Sequence, residues 1–165
     1  MDLIILRHGE AGKSVDAASR DAERALTVSG RKEVEEVAEG LARLKVEVGC
    51  IATSPLKRAK ETANIAAKVL KNDDLVEVWD ELRPEAETTE LYRRLSKLKG
   101  DSGVLLVGHE PYLGKLIALL AAGNSSLEID FKKGGLCKLE AEFLLYGRCA
   151  KLVWLLTPRQ MELMT

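Results

Sequence analysis

The sequence predicts an α/β fold, a three-layer α/β/α sandwich built on a mainly parallel mixed sheet with an antiparallel hairpin at one edge. Three observations lead to this fold class. The chain opens with an apolar run at residues 3–6, which is short enough for a buried strand. Apolar runs and segments with helical spacing then alternate, as in parallel strands joined by helices. After Gly123 apolar and polar residues alternate, which indicates antiparallel strands.

After the opening strand, the first half of the chain predicts a helix, a strand and a second helix. Residues 27–44 carry apolar side chains at steps of three and four, so one face of a helix is apolar. Thr27 or Ser29 can cap the start of this helix, because both side chains accept hydrogen bonds from backbone N–H groups. Residues 49–53 predict a short strand, and residues 56–70 return to helical spacing.

The same strand and helix pattern occurs twice more. Residues 75–78 predict a strand, and residues 91–98 have leucines at helical spacing. Residues 103–107 predict the next strand, which is followed by apolar positions at helical spacing over residues 113–120. Pro111 is expected in the first turn of that helix, where the missing N–H has no intrahelical partner.

The last part of the chain predicts a hairpin. Residues 136–143 alternate apolar and polar side chains, residues 146–148 form a turn, and residues 150–156 are apolar again. We expect this antiparallel pair at one edge of the sheet. The least regular segment, residues 10–26, is polar and is expected to loop over the functional site.

Composition limits the possible functions. The length of 165 residues suits one domain over residues 1–165. A net charge of -1 gives no global basic field, so we expect no nucleic-acid partner. No apolar stretch approaches the roughly 20 residues that span a bilayer, and the start lacks the pattern of a signal peptide. We therefore expect a soluble, cytoplasmic protein without a membrane partner. Cys50, Cys137 and Cys149 are expected to be reduced core residues.

The two histidines of the chain occupy equivalent places in the predicted fold. His8 follows the first strand and His109 follows the strand of residues 103–107. Ligands of parallel sheets bind at the carboxyl ends of strands, so we expect both imidazoles at one edge of the sheet. Gly9 is also assigned to the ligand site, because a glycine permits close approach of backbone to a ligand.

Two arginines complete this group of candidate residues. Arg7 precedes His8, and Arg58 lies early in the helix of residues 56–70. A guanidinium matches the geometry of a phosphoryl group, and the start of a helix attracts anions. The residues therefore predict a phosphate site.

Three motifs carry a resemblance to a known family. They are Arg7-His8-Gly9-Glu10, Ser54-Pro55-Leu56-Lys57-Arg58-Ala59-Lys60-Glu61-Thr62 and Gly108-His109-Glu110. In this order they resemble the histidine phosphatase superfamily, whose fold is phosphoglycerate mutase-like. The short chain is most similar to the SixA-type phosphohistidine phosphatases, which implies a role in signal transduction.

The resemblance implies a mechanism and assigns residues to it. His8 would attack phosphorus and become phosphorylated, while Arg7, Arg58 and His109 would bind the phosphoryl oxygens. Water would then hydrolyse the phosphohistidine, and no metal or other cofactor is expected. Arg24, which lies just before the first long helix, is a further candidate for phosphate binding.

The general acid is the least defined part of this mechanism. Many members of the superfamily carry a glutamate after the third strand, and Glu81 lies at about that place. The residues around Glu81 differ from the family pattern. Weak acid catalysis favours a leaving group such as imidazole, whose conjugate acid has a pKa of about 6.5. The expected substrate is therefore a protein that bears phosphohistidine.

Two other functions stay open from the sequence. One is hydrolysis of small phosphomonoesters, and the other is a non-catalytic module that binds phosphate. Lys132 and Lys133 either face the mouth of the phosphate site or form a solvated edge.

Overall fold

The structure is a computed structural model that describes residues 1–13, 18–98, 102–144 and 146–164. The described chain contains six strands. They are β1 (Asp2–Arg7), β2 (Val48–Thr53), β3 (Val76–Val78), β4 (Gly103–Gly108), β5 (Leu136–Ala141) and β6 (Ala150–Leu156). All of them lie where the sequence pattern predicts a strand, because a run of four or more apolar or alternating residues marks each long strand.

The described helices connect these strands. They are α1 (Ala18–Asp21), α2 (Val28–Arg43), α3 (Lys57–Leu70), α4 (Thr88–Leu95), α5 (Tyr112–Ala122) and α6 (Pro158–Leu163), with 3-10 turns at Asp73–Leu75 and Asp80–Leu82. Thr27 caps α2, since its side chain accepts a hydrogen bond from the Gly30 N–H over 2.9 Å. None of the described helices is long and apolar enough to span a bilayer.

The six strands form one mixed sheet in the order β3-β2-β4-β1-β5-β6. The first four are parallel, whereas β5 runs antiparallel to β1 and to β6. The predicted fold class and the edge hairpin are therefore confirmed. In this register Arg7 pairs with Gly108, so the residues that follow β1 and β4 leave the sheet side by side.

The two faces of the sheet are covered by different helices. Alternate residues of β1 point to opposite faces: Leu3 and Ile5 pack in a core with residues of α4 and α5, whereas Ile4 and Leu6 pack in a second core with residues of α2, α3 and Met161 of α6. Both faces of β1 and β4 are thus buried, which explains why their sequences are apolar runs without alternation.

Some predicted boundaries need correction. Pro111 occupies the N-cap position of α5, one residue before the predicted first turn. Leu98 lies beyond the end of α4 at Leu95, although it still packs against the first core. The sequence analysis missed α6, which begins with a capping box in which Thr157 and Gln160 bond to each other's backbone N–H.

Candidate active site

The two imidazoles lie at the carboxyl end of the sheet, 5.0 Å apart between ring centroids. The His8 N–H donates to the Gly108 carbonyl over 3.0 Å, which continues the ladder between β1 and β4 by one residue. Both side chains are buried, with 7% of His8 and 2% of His109 exposed. The structure therefore brings together two histidines that are 101 positions apart in sequence, since 109 minus 8 is 101.

Only one neutral tautomer of His8 suits its hydrogen bonds. Nδ1 lies 2.7 Å from the Gly9 carbonyl oxygen, which can only accept, so Nδ1 carries the hydrogen. Nε2 lies 3.3 Å from Nε of Arg58, which can only donate. Nε2 of His8 therefore holds an available lone pair, which is the requirement for a nucleophilic nitrogen.

The surroundings of His8 keep the imidazole neutral. The pKa of His8 is lowered to about 4, mainly by burial and also by the positive charges of Arg58, Arg7 and Lys133, against the raising effect of the hydrogen bond to Gly9. At neutral pH the lone pair on Nε2 is consequently not blocked by a proton.

Arg58 lies in the first turn of α3, where it contacts His8 and is bound by Asp21. Its Nη1 donates to the Asp21 carbonyl oxygen over 2.8 Å, and its Nη2 donates to the Asp21 carboxylate over 3.1 Å. The side chain is 7% exposed. The segment of residues 18–26 therefore supports the site, whereas residues 14–17 of the predicted loop lie outside the described residues.

Arg7 presents a nitrogen that has no partner. Its Nη1 donates to the Phe131 carbonyl oxygen over 2.7 Å, while Nε is buried without a hydrogen-bond partner among the described residues. Burial lowers the pKa of Arg7, and the carboxylates of Glu110 and Asp130 offset part of that effect. An unpaired buried N–H is rare in native proteins, so this one points to a ligand.

His109 has the same property. Its Nε2 lies 2.8 Å from Oγ of Ser54, but Nδ1 is buried with no partner in the described part of the chain. The pKa of His109 is lowered to about 3, mainly by burial, with smaller contributions from the neighbouring His8 and Arg58. A neutral imidazole with one unpaired ring nitrogen thus lies next to His8.

In the structure, packing explains why residue 9 is a glycine, whereas the sequence suggested contact with a ligand. A Cβ at Gly9 would lie 2.6 Å from Cγ2 of Val34 and 3.0 Å from the Gly30 carbonyl oxygen. The Gly9 N–H donates to Oγ1 of Thr62 over 3.2 Å, so it is already used within the protein. Glycine is needed here because β1 ends against helix α2.

Arg24 is bound by groups that lie next to the site. Its Nη1 pairs with the Asp21 carboxylate over 2.8 Å, and its Nε donates to the Gly12 carbonyl oxygen over 2.6 Å. Because Asp21 also binds Arg58, Arg24 contacts the residue that holds a site arginine. These contacts give no support to the prediction that Arg24 itself binds phosphate.

Glu81 is engaged elsewhere. Both of its carboxylate oxygens accept hydrogen bonds from Nη1 of Arg94, at 3.0 and 3.2 Å. Its backbone carbonyl accepts from the Tyr112 hydroxyl over 2.9 Å. The predicted role as general acid therefore has no support from the geometry, because the carboxylate is occupied by a guanidinium.

A groove of about 690 Å³ begins at Arg7 and is called here the Arg7 groove. Its charged lining residues are Arg7, Glu10, Glu33, Asp130, Lys132, Lys133 and Arg159. Lys132 pairs with Asp130 over 2.6 Å. Lys133 is exposed, and its positive charge lowers the pKa of His8. Of the two lysines, Lys133 therefore acts on the site through its charge, whereas Lys132 is paired at the rim.

Sequence reasoning missed three residues that support the site. Ser54 bonds to His109, Asp21 binds Arg58, and the Phe131 carbonyl binds Arg7. Ser54 stands in a motif noted above, so its position was visible in the sequence although its partner was not. Nothing in the local sequence around Asp21 or Phe131 signals their contacts, which join distant parts of the chain.

The sequence model of the histidine phosphatase superfamily (branch 1) matches residues 3–86. The chain belongs to this superfamily. Phosphohistidine phosphatase SixA of Escherichia coli (strain K12) is 34% identical over 127 residues, which cover 76% of this chain and 77% of the relative. A phosphohistidine phosphatase SixA homolog of Haemophilus influenzae (strain ATCC 51907 / DSM 11121 / KW20 / Rd) is 31% identical over 129 residues, 73% of this chain and 77% of the relative.

A solved structure is also similar over nearly the whole chain. The protein histidine phosphatase SixA complexed with tungstate superposes with a TM-score of 0.83 and 30% identity, covering 96% of this chain and 98% of that chain. The SixA-like histidine phosphatase fold is thereby shown. Within the residues that the structure describes, no group of three or more His, Cys, Asp and Glu side chains is placed to hold a metal ion.

Proposed function

We propose that this histidine phosphatase transfers the phosphoryl group of its substrate to Nε2 of His8. The bond from phosphorus to the substrate breaks as the bond from phosphorus to Nε2 forms. Water then attacks phosphorus, so that inorganic phosphate leaves and His8 is regenerated. Support comes from the lone pair on Nε2, which the hydrogen bond of Nδ1 to Gly9 leaves unprotonated.

One observation carries this proposal: two nitrogens that belong to neighbours of His8 are buried without hydrogen-bond partners among the described residues. They are Nε of Arg7 and Nδ1 of His109, neither of which has a hydrogen-bond partner in the described chain. A phosphoryl group carries acceptor oxygens that would satisfy both nitrogens. Arg58 adds a positive charge at the same nitrogen, since its Nε lies 3.3 Å from His8 Nε2.

We further propose that the reaction needs no metal ion. Positive charge at fixed positions stabilises the transferring phosphoryl group, and here Arg7 and Arg58 supply it. We therefore expect turnover to be unchanged after treatment with a chelator.

The proposed substrate is a protein that bears phosphohistidine. Both named relatives are phosphohistidine phosphatases by name. Glu81 is held by Arg94, so strong acid assistance to a leaving alkoxide has no candidate at that position. Imidazole leaves with less assistance, because its conjugate acid has a pKa of about 6.5. The Arg7 groove, about 690 Å³ in volume, offers a surface for the protein around the phosphorylated side chain.

Two measurements test the proposal. With a ³²P-labelled phosphohistidine protein, wild-type protein quenched during turnover should carry label, and His8→Ala should carry none and lose at least about 10³-fold in turnover. Lys138→Met, at the opposite end of the sheet, is the matched control and should behave as wild type. Turnover without any covalent label would contradict the role of His8, and the absence of both label and turnover would favour a phosphate-binding module.

The second measurement compares substrates. We expect the His8-dependent kcat/KM to be highest for the phosphohistidine protein, lower for phosphoramidate and lowest for sugar phosphates. Faster hydrolysis of sugar or alkyl esters than of phosphohistidine would overturn the substrate assignment and favour a small-molecule phosphomonoesterase, while leaving the role of His8 intact.

A further inference from the structure

Ser54 is the first residue after β2, and its hydroxyl group has two neighbours. The residue is fully buried. Oγ accepts a hydrogen bond from the Leu56 N–H over 3.3 Å and lies 2.8 Å from Nε2 of His109. The Ser54 N–H donates to the Val107 carbonyl over 3.0 Å, which places Ser54 beside the end of β4 where His109 begins its loop.

The direction of the hydrogen bond between Ser54 and His109 follows from the number of available hydrogens. A serine hydroxyl has a single hydrogen, and the Leu56 N–H can only donate. If His109 also donated, the buried hydroxyl hydrogen would have no acceptor among the described residues, which is unfavourable. Ser54 therefore donates to Nε2, and the hydrogen of neutral His109 is on Nδ1.

That hydrogen lies on the nitrogen that has no partner. Nδ1 of His109 is buried, and the side chain is 2% exposed. The ring lies 5.0 Å from the ring of His8, so the imidazole that carries this N–H is next to that of the proposed nucleophile. With the hydrogen on Nε2 instead, Nδ1 would direct a lone pair at the phosphoryl oxygens and repel them.

We propose that Ser54 is a positioning residue that holds His109 in the Nδ1–H tautomer, so that a neutral imidazole donates a hydrogen bond to a phosphoryl oxygen. This inference rests on the proposed function of the site. It gives the two histidines opposite tautomers. The Gly9 carbonyl keeps the lone pair of His8 on Nε2, and the Ser54 hydroxyl keeps the hydrogen of His109 on the nitrogen that faces the ligand.

The direct test is ¹⁵N NMR of the imidazole nitrogens at pH 7. Because the chain has only two histidines, the spectrum of His8→Ala assigns all signals of His109. We expect wild-type His109 to be protonated on Nδ1 and unprotonated on Nε2. In Ser54→Ala, we expect hydrogen on Nε2 in at least part of the population. A wild-type signal for hydrogen on Nε2 would overturn the proposal, whatever the activity of any variant.

The kinetic test uses a neighbouring hydroxyl as its control. Thr53 is equally buried, and its hydroxyl donates to the Ser54 carbonyl instead of His109. Loss of one donor to a reacting oxygen lowers turnover by about 10²–10³-fold, so partial loss of the tautomer in Ser54→Ala should lower kcat about tenfold or more. Thr53→Val should keep both the His109 tautomer and kcat. Equal behaviour of the two variants would contradict a specific role for Ser54.

The role of His8 and the tautomer of His109 are refuted by different results. Covalent labelling that does not depend on His8 would refute the proposed function without changing the ¹⁵N spectrum of His109. Conversely, a tautomer of His109 that does not respond to Ser54→Ala would refute this inference while the labelling of His8 remains. If Ser54→Ala does not fold, the wild-type spectrum alone decides.

Discussion

The two ends of the sheet differ in whether their charged and polar groups have partners. At the end where β1 begins, Lys138 lies 2.8 Å from the Asp2 carboxylate and 3.2 Å from that of Glu140. Hydrogen bonds to these carboxylates raise the pKa of Lys138. Opposite charges on neighbouring strands thus stabilise the protonated lysine, and each charged group has a partner.

At the end where β1 stops, two buried nitrogens lack partners among the described residues. Arg7 forms no ion pair among the described residues, and its buried Nε has no acceptor. Burial lowers the pKa of both His8 and His109, to about 4 and about 3. The start of β1 therefore lies beside charged groups that are paired with each other, whereas its end lies beside buried polar atoms that have no partner in the described chain. Uncompensated polar groups in a buried place mark where a ligand completes the structure.

The largest effect on turnover is expected at Arg7. We expect Arg7→Met to lower turnover of phosphohistidine protein by about 10²–10³-fold, because it removes a donor to the transferring phosphoryl group. We also expect the free energy of unfolding to stay the same or rise, since a desolvated charge without a counter-ion is removed. Steady-state kinetics and urea denaturation of the same variant measure both effects.

A result in which Arg7→Met unfolds more easily by over about 1 kcal/mol, with turnover kept, would reverse the assignment. Arg7 would then be a structural residue held by its bond to Phe131. Arg31→Met is a matched control, because Arg31 pairs with Glu61 over 2.7 Å at an exposed position and should leave turnover unchanged.

The two histidines should make stability depend on pH. Unfolded histidine has a pKa of about 6.5, whereas in the folded chain the values are about 4 and about 3. At pH values between the folded and the unfolded pKa of a histidine, the unfolded chain binds more protons than the folded chain. The free energy of unfolding should therefore fall as pH falls from about 6.5 toward 4, by up to about 1.4 kcal/mol per pH unit for each histidine.

Urea denaturation at several pH values measures this slope. The double variant His8→Gln and His109→Gln removes both imidazoles of the chain, so its slope between pH 6.5 and 5 should be smaller than that of the wild type. Equal slopes in the two proteins would mean that the histidines of the folded chain keep ordinary pKa values. Protons would then compete for the His8 lone pair near neutral pH.

The smallest effect is expected at the compensated end of the sheet. Lys138→Met removes the cation that pairs with Asp2 and Glu140 and leaves both carboxylates on adjacent strands. We expect a loss of about 1 kcal/mol or less in the free energy of unfolding, since Glu140 is exposed and solvent screens its pair. Turnover should equal that of the wild type. A loss of turnover above about tenfold would show that the two ends of the sheet are coupled.

Hydrophobic periodicity predicted the strands well because burial on both faces leaves a plain apolar run. β1 and β4 are of this kind, and their ends also located His8 and His109. Periodicity failed where a short segment depends on other parts of the chain. The first helix, Ala18–Asp21, is one turn long and polar, so its sequence carries no helical stripe.

The site shows the same division. Residue type and strand position were sufficient to select Arg7, His8, Arg58 and His109 as neighbours. The same reasoning chose Glu81 as a general acid, but the fold places Arg94 against its carboxylate. It chose Gly9 for contact with a ligand, but the packing of Val34 requires that glycine. Both contacts involve distant segments, and the roles predicted for Glu81 and Gly9 stay predictions.

The amino-acid sequence by itself determined the order of strands and helices and the four residues at the strand and helix ends, because local periodicity and residue chemistry act over a few positions. Only the tertiary structure decided which hydrogen bonds those residues make. The bonds of His8 to Arg58, of Arg7 to Phe131 and of His109 to Ser54 each join residues distant in sequence that folding brings to about 3 Å. Hydrogen bonds of that length are set by the packed fold, and no local pattern encodes them.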